Sequence, residues 1–113
     1  MNLPDALSAL GALAQETRLA AFRRLVQAGQ AGLSVGELRE GLDVPAATLS
    51  AHLNVLRGAG LVRDEREGRV IRVRADYAQM NGLLAYLTEN CCAGDASCAP
   101  ETSCKPPAKG SNP

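Results

Sequence analysis

The sequence predicts a mainly α fold with one small β-hairpin, on three observations. Apolar residues recur at helical spacing in several separate stretches, a Ser-x-x-Glu box and a proline mark two closely spaced helix starts, and a Val-, Ile- and Arg-rich stretch turns back on itself at a glycine. A chain of 113 residues has room for one compact domain and too little for two of ordinary size. Apolar residues make up 46%, yet the only aromatics are Phe22, Tyr77 and Tyr86, so Leu, Val and Ala must fill the core.

Leu3, Leu7, Leu10 and Ala14 repeat at helical spacing, and Asp5 sits in the first turn, where the helix dipole favours an anion. This is a first helix, weakened but not ended by Gly11. A second runs from Glu16 to Ala28 on a stripe of Leu19, Phe22, Leu25 and Val26, with Arg18, Arg23 and Arg24 away from it or along its edge; Gly29-Gln30-Ala31-Gly32 stops it.

Ser34 opens a short third helix: Glu37 completes a capping box and Leu33 can staple against Leu38. Gly41 supplies a left-handed stop, and Pro45 suits the first turn of the next helix. That fourth helix, about Pro45 to Arg57, places Leu49, Leu53 and Leu56 on one face and Ala47, Ser50, Ala51 and Asn54 on the other. Two helices joined by so tight a turn form a helix-turn-helix, whose second member lies in the major groove of DNA.

After Gly58-Ala59-Gly60, Leu61 to Arg66 and Arg69 to Arg74 read as the two strands of a hairpin around Glu67-Gly68, with Gly68 free to take the positive φ of a tight turn. The hairpin projects as a wing, and the whole is a winged helix-turn-helix. Asp76 can cap a last helix on which Met80, Leu83, Leu84 and Leu87 form a stripe with little polar relief. With Leu3, Leu7 and Leu10 of the first helix, these four are the candidate interface of a homodimer. Residues 1–90 then make a DNA-binding and dimerisation domain. Beyond Asn90 the composition shifts to Cys, Gly, Pro, Ser and Lys, which predicts a flexible cysteine-containing tail over 91–113.

The formal charge is zero, but six arginines between Arg57 and Arg74 face only Asp64, Glu65 and Glu67, a local excess of three positive charges. A basic face is therefore compatible with a neutral protein. Reading DNA requires cations for phosphates and short polar side chains for base edges. Thr48, Ser50 and Asn54, with Ala51 among them, fit the second need; Arg57, Arg66, Arg69 and Arg72 fit the first. The bland alternative is that the arginines merely solvate a surface. His52, the sole histidine, lies beside Leu49, Leu53 and Leu56 on the helical wheel, which favours packing with a satisfied ring nitrogen over metal binding, with contact to the DNA backbone as the next option.

The N-terminus has an early acid, no basic leader and no long apolar run, so neither a signal peptide nor a membrane span is expected, and the cytoplasm is. In that reducing compartment four cysteines within the last 23 residues favour ion binding over structural disulfides.

The order of elements, together with Glu16-Thr17-Arg18-Leu19, Thr48-Leu49-Ser50-Ala51-His52-Leu53, Leu56-Arg57 followed by Ala59-Gly60-Leu61-Val62, and Glu67-Gly68-Arg69, resembles the ArsR/SmtB family of metal-responsive repressors over residues 3 to 90. The resemblance implies a homodimer on double-stranded operator DNA, released when a soft ion binds, with no cofactor needed for folding. Two departures narrow it. Many arsenic repressors of the family carry Cys-Val-Cys at the start of the third helix, where this chain has Ser34-Val35-Gly36-Glu37-Leu38; the zinc-sensing branch uses His and carboxylates on the last helix, where only Asp76 and Glu89 stand. What remains is similar to a displaced thiol site of another arsenic-sensing branch, which implies Cys91, Cys92 and Cys98 as ligands of trivalent arsenic or antimony and Cys104 as an auxiliary candidate.

Trivalent arsenic takes three thiolates, and soft thiolates select soft ions. Neighbours on a helix point about 100° apart, so Cys91 and Cys92 converge on one atom only where the helix ends or frays. Methylarsenite, antimonite and cadmium remain open as inducers. Zinc is a rival lacking its usual Cys-x-x-Cys spacing, a tail of unreactive thiols is the bland reading, and a soft-ion carrier or sequestering protein would need the tail but not the wing. An enzyme is not expected: there is no Cys-x-x-Cys redox pair, no arginine six residues after a cysteine, and the one histidine sits on the recognition helix.

Overall fold

The computed structural model describes residues 1–90; the expected tail and Cys91, Cys92, Cys98 and Cys104 lie outside the described residues. Helix α1 (Leu3–Leu13) starts with the side chain of Asn2 accepting from the Asp5 N–H and with proline in its first turn. It turns Ala6, Ala9 and Ala12 inward and leaves Leu3, Leu7 and Leu10 exposed. Small residues on the inner face let α1 approach the rest of the chain closely.

Helix α2 (Glu16–Ala28) has the expected bounds and is capped by the Gln15 side chain. It buries Ala21, Phe22 and Leu25; Leu19, expected on the buried stripe, is exposed. A 3₁₀ turn (Gly29–Ala31) follows. Both bonds of the Ser34–Glu37 capping box open α3 (Val35–Glu40). Gly41 is not the expected left-handed stop, since its φ is −90°. The Arg24 guanidinium lies where a Cβ at this position would sit, so a side chain there would have to displace it. Pro45 sits just outside α4 (Ala46–Gly58), with extended backbone, rather than within its first turn.

Leu49, Leu53 and Leu56 of α4 are buried as expected. The helix ends in a Schellman motif: Leu61 N–H donates to the Leu56 carbonyl at 3.0 Å and Gly60 N–H to the Arg57 carbonyl at 2.9 Å, with Gly60 at φ +76°. That stop aims the chain into β2 (Val62–Glu67), which pairs with β3 (Val70–Ala75) from Val62↔Ala75 out to Glu67↔Val70. The tip is therefore Gly68-Arg69, one residue further on than expected. Gly68 alone has positive φ, +61°, the pattern of a hairpin turn with glycine first.

The sheet has three strands, not the expected two. Leu33–Ser34 forms β1 on the far side of β3, antiparallel, with Leu33 opposite Val73. Helix α5 (Tyr77–Leu87) begins at an Asp76 cap and is fastened to α2 by the Tyr77 hydroxyl, which donates to the Val26 carbonyl at 2.9 Å.

The core gathers Leu25, Leu38, Leu49, Leu53, Leu56, Leu61 and Val73, all fully buried, each contributing about 1.5–3 kcal/mol of transfer free energy. It lies under the outward face of α4 and at the root of the wing. Leu83, expected at the dimer interface, is a core residue of the protomer at 5% exposure. The periodicity located its stripe, but the stripe's inner edge packs at home and only Leu84 and Leu87 remain exposed, with Met80 half-buried between. No helix among the described residues is long and apolar enough to cross a membrane.

Candidate nucleic-acid interface

The face of α4 opposite its buried leucines carries Thr48, Ser50, Ala51 and Asn54, all exposed. They stand at i, i+2, i+3 and i+6, which on a 3.6-residue turn keeps them on one side of the helix. Short side chains here let the helix approach a groove without steric obstruction. Its N-terminal amides receive no side-chain cap, because proline holds the cap position.

The arginines separate into two groups. Arg66 and Arg69, on and beside the wing tip, are exposed and have no ion-pair or hydrogen-bond partner among the described residues. Arg72, expected to face phosphate, is instead a tie within the protein. Its Nε donates to the Ala31 carbonyl at 2.9 Å and its Nη2 reaches the Gly32 carbonyl at 3.1 Å and Glu37 Oε1 at 3.3 Å. Residue 72 stands opposite Ser34 in the β1–β3 register, on the side of the sheet's third strand rather than at its tip. Arg74 is similarly engaged by Glu65 at 3.4 Å and Gln30 at 3.0 Å.

Arg57, the other expected phosphate contact, bridges α4 to the wing. Its Nε lies 3.1 Å from Asp64 Oδ2 and its Nη1 donates to Asn54 Oδ1 at 2.8 Å. Of these two partners, Asn54 at i−3 is readable from helical spacing, whereas Asp64 is brought in by the turn into β2.

His52 is half-buried, and its Nδ1 faces the Arg18 guanidinium, which satisfies the ring nitrogen as expected. Arginine only donates, so Nδ1 accepts and the proton resides on Nε2. Among the described residues no group of three or more His, Cys, Asp or Glu could hold a metal ion. The Glu37 carboxyl is held below its ordinary value of 4.5, chiefly by the Ser34 N–H and further by Arg72.

A second surface lies away from α4. Leu3, Leu7 and Leu10 of α1, Leu19 of α2, and Leu84 and Leu87 of α5 are each at least 40% exposed. Beside them Leu13, Phe22, Val26 and Met80 line a largely apolar cleft of about 550 Å³. So much exposed aliphatic surface on packed neighbouring helices is the mark of an interaction face.

A family model described as a helix-turn-helix domain matches residues 13–65. An ArsR-like transcriptional regulator from Rhodococcus sp. RHA1 is 34% identical, with a TM-score of 0.68, over 80% of this chain and 82% of that one. A possible transcriptional regulator for arsenical resistance is 33% identical, with a TM-score of 0.54, over 72% and 84%. The homodimeric winged helix-turn-helix DNA-binding domain of a possible ArsR-family regulator from Mycobacterium bovis is 25% identical, with a TM-score of 0.60, over 82% and 86%. No curated protein matches the chain.

Proposed function

Because the chain belongs to the ArsR family of winged helix-turn-helix transcriptional regulators, we propose that it holds operator DNA as a homodimer and lets go when thiols beyond its last helix capture trivalent arsenic. It is a DNA-binding regulator and not an enzyme. The observation that carries the DNA-binding geometry is the exposed row Thr48, Ser50, Ala51 and Asn54 beside a wing whose Arg66 and Arg69 have no ion-pair or hydrogen-bond partner among the described residues. In this reading α4 enters the major groove, and Arg66 and Arg69 neutralise phosphates.

The homodimer places two α4 helices about 34 Å apart, one turn of DNA, on a near-palindromic site. Its interface is Leu3, Leu7 and Leu10 with Met80, Leu84 and Leu87, supported by the exposure of the leucines and by the homodimeric state of the Mycobacterium bovis relative. Residues 1–90 form the domain, and the tail carries the sensor.

The inducer ligands are Cys91, Cys92 and Cys98, with Cys104 auxiliary. Four thiols crowded into positions 91 to 104 support this, as does the likeness to a possible regulator for arsenical resistance. So does the end of α5 at Leu87, followed by Asn90 in left-handed backbone at φ +55°. The regular helix stops before the thiols begin, as convergence of two adjacent cysteines on one atom requires. Capture of the ion reorganises the chain at the end of α5, whose other turns belong to the interface that sets the spacing of the α4 pair. A coupling of about 1–3 kcal/mol changes operator affinity by roughly 5- to 150-fold, enough for a switch without unfolding.

Titrating the protein–DNA complex, formed on the promoter of its own gene, with arsenite, methylarsenite, antimonite, cadmium and zinc tests the reading. Release by a trivalent arsenical or antimonial at the lowest concentration is expected. Tight arsenite binding without any DNA binding would instead indicate a soft-ion carrier.

A further inference from the structure

Arg57 ties the recognition helix to the wing. Its Nε lies 3.2 Å and 3.1 Å from the two carboxylate oxygens of Asp64, and its Nη1 is 2.8 Å from Oδ1 of Asn54. Asp64 stands opposite Val73 in the β2–β3 register, and Val73 is fully buried, so the carboxylate rises from the anchored part of the sheet rather than from its tip. The guanidinium side chain is only 32% exposed. Its planar fork fixes the directions of both bonds at once.

A guanidinium cannot accept a hydrogen bond, so the Asn54 atom facing it must be the carbonyl oxygen. Both amide hydrogens of Asn54 are then left without a protein partner among the described residues. An unconstrained asparagine reads adenine with oxygen and nitrogen together, accepting from N6 and donating to N7. Guanine offers only acceptors in the major groove, N7 and O6.

We propose that Arg57 is a positioning residue that turns Asn54 into a donor-only reader of guanine, and that it does not itself contact phosphate. This rests on the DNA-binding reading above and assigns one base preference within it. Asp64 completes the chain by holding Arg57 against the wing, so the pose of Asn54 depends on the fold of the hairpin.

Selection from a randomised duplex pool, followed by titration on the selected duplex and on a mixed-sequence duplex over a range of salt, provides the test. The wild type should enrich guanine at one position per half-site, and Asn54→Ala should lose that preference. Arg57→Met should shift the position toward adenine, lower the ratio of selected to mixed affinity about tenfold and leave the salt slope unchanged. A phosphate role predicts equal weakening on both duplexes and a salt slope reduced by about one; that result overturns the proposal alone. Enrichment of adenine by the wild type also overturns it, whereas binding with no enriched sequence removes the base-reading role of α4 as well. Asp64→Ala keeps the guanidinium and decides the matter should Arg57→Met not fold. Loss of the guanine preference supports positioning, and tighter binding to both duplexes at an unchanged ratio refutes it.

Discussion

Arg18 Nη1 lies 3.3 Å from Nδ1 of His52, and Arg18 Nε donates to the Ala12 carbonyl at 2.7 Å. One side chain at the start of α2 thus joins the end of α1 to the middle of the recognition helix. Replacing it leaves a carbonyl and a ring nitrogen short of a partly buried partner. Arg18→Met is expected to destabilise the protein by about 1–3 kcal/mol, read by urea unfolding at fixed protein concentration. An unchanged midpoint would mean that solvent replaces both contacts.

Arg69→Ala and Arg72→Ala should fail in different ways. The first removes an exposed wing cation: binding to every sequence weakens and the salt slope falls by about one, with thermal stability unchanged. The second removes the tie to Ala31, Gly32 and Glu37, so the melting temperature falls. Its salt slope should stay that of the wild type.

Leu7 and Leu83 offer a second contrast. Leu7 is 60% exposed and Leu83 5%. Leu7→Glu is expected to yield folded monomers by sedimentation. Leu83→Ala should cost about 2–5 kcal/mol through the cavity it leaves. Dimers of Leu7→Glu as tight as the wild type would move the interface elsewhere.

Cys91→Ser, Cys92→Ser and Cys98→Ser are each expected to bind DNA normally and to resist release by arsenite, measured by fluorescence anisotropy. A variant released at the wild-type concentration removes that thiol from the site.

Glu37 has its carboxyl lowered in the folded state. A depressed carboxylate stabilises above its unfolded value and loses that contribution as pH falls through the folded one. The stability advantage of the wild type over Glu37→Gln should therefore be present near neutral pH and shrink as the pH drops below 4.5. A difference in melting temperature that does not change with pH would assign the effect to hydrogen-bond geometry alone.

What the sequence made legible is what local chemistry decides. The Ser34–Glu37 box, the bounds of α2, the leucine face of α4 and the positive φ of Gly68 all follow from residues within one or two turns of each other. A two-residue strand such as Leu33–Ser34 is too short to show alternation, so β1 stayed hidden. Gly41 reads locally as a left-handed stop, whereas what lies against it is the Arg24 guanidinium from a different helix. The role of Arg72 depends on acceptors some 40 residues away. Periodicity gave the apolar stripe of α5 but not which edge faces home, and that placed Leu83 wrongly. The exposed row on α4 was readable because its small polar residues alternate with leucines at helical spacing.

The peptide at the end of α4 has a second tenant. Gln79, in the first turn of α5, donates through Nε2 to the Ala59 carbonyl at 3.0 Å, and the Asp76 N–H reaches the Leu61 carbonyl at 2.8 Å. A side chain at Gly60 would press on Gln79. The helix proposed to enter the major groove and the helix that precedes the cysteines are thus joined here. Ala59 and Leu61 are both core residues, so that elbow is set into the packed interior and a tilt of either helix would strain it.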